Sequence, residues 1–124
     1  MWVWSGERVS GGGRLGVEQL VDQDGSTLLQ LTGELDHETS TVLVDRLGAM
    51  KAARQPVRLD LSGLEFIDSS GVRTLIVTVR DASEAGWRLE IRRELSWQVE
   101  RVVDVLGIEP VLWPGDRDRP NGGG

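Results

Sequence analysis

The sequence contains no cysteine among its 124 residues. That excludes disulfides and any thiolate metal site, and it leaves the redox compartment open. No apolar run approaches the roughly 20 residues of a membrane-spanning helix. Basic charge is outnumbered by acidic charge and is almost wholly arginine. Lys51 is the only lysine, from which no functional conclusion follows, and the formal net charge is −6. Phosphate backbones demand basic surface, so the balance argues against a general nucleic-acid binder. It argues equally against an anionic membrane surface as partner. The first residues lack the basic start and apolar stretch of a signal peptide, so a cytoplasmic address is the expectation.

What is present suits one globular domain. Apolar residues make up 39% of the chain and charged residues 27%, an ordinary balance for a chain able to bury a core. Residues 1–14, "MWVWSGERVSGGGR", read as a loose arm, because Gly11, Gly12 and Gly13 favour no regular structure. Residues 114–124 are polar and glycine-rich and read as a frayed tail. The folded domain is then expected over residues 15–113.

Within it, Asp24-Gly25 separates two strand-like runs and signals a hairpin. Residues 38–54 follow as a helix with Leu43, Leu47 and Met50 on one stripe, stopped before Pro56. "VRLDL" alternates, with Val57, Leu59 and Leu61 on one face and Arg58 and Asp60 on the other. Val72, Leu75, Ile76 and Val79 fall at i, i+3, i+4 and i+7, which predicts a helix ending near Gly86. "WRLEIRR" alternates again. Val99, Val102, Val103 and Leu106 mark a third helix stopped by Gly107, and "IEPVLW" reads as a final strand. Pro110 cannot donate to a ladder, so that strand belongs at a sheet edge. Strand–helix–strand order implies parallel pairing with right-handed crossovers. A charge at every second strand position implies one wet face. The expected fold is therefore α/β, a mixed four- to five-stranded sheet with helices packed mainly on one face.

The seam between strand and helix, "FIDSSGVRTLI" (66–76), carries the densest chemistry. Asp68, Ser69 and Ser70 can each cap the helix, and Gly71 permits a tight turn. Nucleophilic catalysis is a second option, since His37 and several carboxylates are present. The local pattern lacks the flanking glycines of a nucleophile elbow. Phosphorylation is a third. A serine at a helix N-terminus sits where free N–H groups and the dipole favour an anion, and a phosphate there adds about −1.5 to −2 charge.

"LTGELDHET" (31–39), followed about thirty residues later by "LDLSGLEFIDSSGVRTLI" (59–76), resembles the STAS domain of bacterial anti-sigma factor antagonists. The resemblance spans roughly residues 15–113. It implies a protein without enzymatic activity or cofactor that binds an anti-sigma serine kinase and so releases a sigma factor. It implies that the kinase phosphorylates Ser69, which breaks the complex, and that a serine phosphatase reverses the mark. By position, Gly33, Glu34, Asp36 and His37 from the first segment and Asp68, Ser69, Ser70 and Gly71 from the second would form the partner-binding surface. Asp36 serves equally as a cap or turn residue. An adaptor subunit of a larger complex, with Ser69 merely a cap, is the alternative. Oligomeric state is left at monomer or weak dimer.

Overall fold

The structure, a computed structural model, describes the backbone of residues 2–11 and residues 14–115 in full. The elements run β1 (Trp2–Gly11), β2 (Leu15–Asp22), β3 (Thr27–Leu35), α1 (Ser40–Ala52), β4 (Val57–Ile67), α2 (Ser69–Ala85), β5 (Leu89–Leu95), α3 (Trp97–Leu106) and α4 (Glu109–Leu112). The five strands form one sheet in the order β1-β2-β3-β4-β5. The first two junctions are antiparallel and the last two parallel. The mixed α/β sheet expected from the alternation is present.

Two elements differ from the sequence reading. Residues 2–11 are not a loose arm: they pair along β2 from Trp2 opposite Asp22 to Gly11 opposite Leu15. Without them β2 would present a row of unpaired backbone groups, and an adjacent extended segment satisfies that row. The final strand expected in "IEPVLW" is instead the short helix α4, with Pro110 in its first turn. Proline's missing N–H has no intrahelical partner there, so the residue that counts against a central strand is at ease in a helix start. From residue 116 onward the expected tail lies outside the described residues.

The core is a single cluster that joins Leu29, Leu31, Leu59, Leu61 and Leu64 of the sheet to Leu43 and Leu47 of α1 and Leu75 of α2. Val99 and Val103 of α3 and Leu112 of α4 complete it. Each such side chain contributes roughly 1.5–3 kcal/mol on burial. Arg58 and Glu90 are exposed on the opposite face and pair across strands at 3.2 Å. An exposed pair of this kind is worth about 0–1 kcal/mol, so the apolar face decides the register.

β4 takes two register shifts against β3, one between Gln30 and Thr32 and one between Gly33 and Glu34. At the first, the Asp60 carboxylate accepts the Ser62 N–H at 2.9 Å and the Ser62 hydroxyl at 2.7 Å. Burial pushes the Asp60 carboxyl up, yet the Ser62 hydroxyl and N–H, with Gln30 and Arg92, hold it below its ordinary value. The extra residues bring the two strands to a common end, with Leu35 opposite Ile67.

The return from α1 is fastened to α2. Arg54 adopts φ 57° and donates to the Ala85 and Gly86 carbonyls at 3.0 and 3.2 Å. These carbonyls lie at the negative end of α2, where a cation is favoured. Arg54→Ala is expected to lower unfolding free energy in urea by about 0.5–1 kcal/mol. Arg54→Gly loses the same bonds but relieves the left-handed backbone, and should lose less. Equal losses would show that the backbone there is unstrained.

Candidate functional site at the ends of two parallel strands

β3 and β4 end side by side, and both sequence segments singled out above run across those ends. The Asp68 N–H donates to the Leu35 carbonyl at 3.2 Å, which ties the start of α2 to the end of β3. Gly71 makes the close fit possible. A Cβ on it would stand 2.4 Å from the Leu35 carbonyl oxygen and 2.8 Å from an Ile67 side-chain carbon. In open α/β sheets the carboxyl ends of parallel strands are where contacts with other molecules collect.

On the β3 side, Gly33 has φ +88°, and a Cβ there would fall 1.9 Å from the Arg14 carbonyl oxygen. The same carbonyl accepts the Glu34 N–H at 2.8 Å. Asp36 and Thr39 then close a reciprocal pair. The Asp36 carboxylate accepts the Thr39 N–H at 2.9 Å, and the Thr39 hydroxyl accepts the Asp36 N–H at 2.9 Å. This satisfies two donors at the turn that leads into α1. Arg14 reaches in from the start of β2, 2.7 Å from Asp36 and 2.8 Å from Glu38, with Glu34 at 3.7 Å.

The Thr39 N–H, foremost, holds the Asp36 carboxyl below its ordinary value against the opposing effect of burial, helped by the Thr39 hydroxyl and Arg14. A depressed carboxyl contributes stability that is complete above its unfolded pKa and lost as pH falls through the folded value. Asp36→Asn should therefore remove part of the loss of stability seen on acidification, while barely changing the slope near neutrality. Urea melts across the acid range check this; an unchanged acid limb would show that Asp36 contributes nothing to it.

On the β4 side, Asp68 is the N-cap of α2, and its carboxylate accepts the Gly71 N–H at 2.9 Å. Ser69 is the first helical residue and is exposed. Its hydroxyl makes no hydrogen bond among the described residues. Of the three capping candidates read from the sequence, Asp68 takes the role. Ser70 is half-buried and Gly71 buried. Asp36 is buried and faces Thr39 and Arg14, so it shapes the surface more than it forms it. Glu34 is half-buried, and His37 is exposed.

Two residues of this surface escaped sequence reading. Phe66 stands opposite Glu34 and is 46% exposed. Strand alternation carried a signal for it: Ile67 is buried, so its neighbour must face the other way. Arg14 carried none, since its ion pairs span twenty or more residues of sequence.

Fold and site together define a small α/β domain whose exposed chemistry gathers at the carboxyl ends of two adjacent parallel strands. The family described as "Mlab, STAS domain" matches residues 19–113, and the chain belongs to that family of STAS domains. The anti-sigma F factor antagonist of Paenibacillus polymyxa is 27% identical over 90 residues, covering 71% of this chain and 76% of that protein. The crystal structure of an anti-sigma factor antagonist from Mycobacterium paratuberculosis superposes with a TM-score of 0.67 at 23% identity, over 84% of this chain and 87% of the other. The anti-sigma factor antagonist SpoIIAA in its unphosphorylated form gives 0.62 at 21% identity, over 76% of this chain and 83% of the other. These likenesses establish the shared fold.

Proposed function

We propose that this chain is an anti-sigma factor antagonist, a binding protein without catalytic activity whose docking on an anti-sigma serine kinase is ended by phosphorylation of Ser69. The observation that carries the reading is the division of labour at the start of α2. Asp68 caps the helix, so the exposed Ser69 hydroxyl has no structural duty there. The matched family and the names of the similar proteins support the same reading.

The physics of the switch follows from charge. A phosphate at Ser69 adds about −1.5 to −2 charge. The helix tolerates it, because its N-terminal N–H groups favour an anion. The docking surface does not, because Asp68 and Glu34 already make it acidic and a new charge must be desolvated on contact. ATP belongs to the partner, and a serine phosphatase restores the competent form.

The test is to incubate the chain with ATP and each anti-sigma serine kinase of the source organism, then locate the phosphate by mass spectrometry. Phosphate on Ser69 and release of the complex are expected. Phosphate elsewhere removes the site assignment. A second reading is an adaptor subunit of a larger complex with no switch, with which the matched STAS domain is equally compatible. Neither complex nor labelling with any such kinase would select it.

A further inference from the structure

An open slot of about 290 Å³ runs between α1 and α2, and nothing in the folded chain requires it to stay open. Its walls include Val44, 50% exposed, and Val77, 39% exposed. Gly48 lies between them in the middle of α1 and lines the slot. A glycine inside a helix destabilises it relative to alanine. Glycine is usually tolerated where a neighbour approaches too closely for a Cβ, but a Cβ on Gly48 would meet nothing within 4 Å. The free protein therefore carries the helix penalty with no packing gain, and the space above Gly48 is empty. The volume falls just below the roughly 300–1,000 Å³ of small-molecule sites, which fits side chains of a partner better than a metabolite.

Charge narrows the occupant. Lys51 and Arg73 stand on the two helices that flank the slot, and neither has an ion pair among the described residues. Asp81 is the single acidic lining residue, so the slot is net basic in a chain of net charge −6. Arg73 is also four residues beyond Ser69 on α2, the spacing at which helical side chains meet.

We propose that this slot docks a segment of the anti-sigma partner that presents an apolar side chain beside a carboxylate, the apolar group seating over Gly48 and the carboxylate meeting Arg73. The proposal rests on the functional reading above and extends it to a second contact. It also gives Ser69 a longer reach. A phosphate there competes for Arg73 and withdraws that cation from the partner.

The probe is the anti-sigma serine kinase that labels Ser69, titrated without ATP by calorimetry. Gly48→Leu should raise the thermal unfolding midpoint, because a helix former replaces glycine, and should weaken docking at least about tenfold by filling the slot. Arg73→Glu should weaken docking about tenfold and flatten its dependence on salt. Trp97→Glu, at an exposed position of α3 outside the slot, should leave affinity unchanged. If the kinase binds wild type and Gly48→Leu alike, the slot proposal is wrong and the Ser69 switch stands. If no kinase of this class binds the wild-type chain, the functional reading fails and the slot proposal with it.

Discussion

Gly33→Ala is expected to lower the unfolding free energy by about 3–4 kcal/mol, a large share of the 5–15 kcal/mol typical of a domain. Two causes add. The left-handed backbone at φ +88° costs an alanine about 1–2 kcal/mol. The new Cβ would also stand 1.9 Å from the Arg14 carbonyl oxygen, and that partner is backbone, which cannot swing aside. Moving Arg14 weakens the bond its carbonyl accepts from Glu34 and pulls its guanidinium from Asp36. Gly25 supplies the control. It has nearly the same φ, +89°, yet has nothing within 4 Å of a built Cβ. Gly25→Ala should therefore show the backbone cost alone. Urea melts of both variants separate the causes, and equal losses would mean that the contact with Arg14 relaxes freely.

The second large effect concerns binding. Ser69→Ala should dock on the anti-sigma kinase with nearly wild-type affinity and resist release by ATP. Ser69→Glu should dock at least about 100-fold more weakly, because like charge across an interface costs several kcal/mol. Neither variant should lose much stability, since the cap bond to Gly71 comes from Asp68. Calorimetric titration and a urea melt on the same preparations read the two quantities separately. A Ser69→Glu chain that docks like wild type would remove charge as the switch.

Much of this was legible in the residues themselves. The alternation of Val57, Leu59 and Leu61 gave the core face of β4 and Arg58 is exposed as expected, but Asp60, expected on the same wet face, is buried, its carboxylate held by Ser62 and Gln30. Val72 and Leu75 gave the buried face of α2, and Gly86 and Gly107 end their helices in left-handed caps as expected. The places that escaped are those where partners distant in sequence decide. Residues 2–11 become a strand only because the edge of β2 is there to receive them. "EPVL" becomes a helix because Pro110 falls in a first turn, a position local pattern cannot distinguish from a strand edge. Arg14 reaches Asp36 across a register that only the folded sheet creates. Gly48 falls inside the helix expected over residues 38–54, and the emptiness above it is a property of two helices together.

The bond from the Asp68 N–H to the Leu35 carbonyl has a bearing on synthesis in the cell. A ribosome releases the segment around residue 36 well before the segment around residue 68, so an unfinished chain displays half an epitope. Only after β4 has been laid beside β3 do the halves share a border. On the proposed function, a partner that needs both halves should pass over chains that end before β4 is laid beside β3.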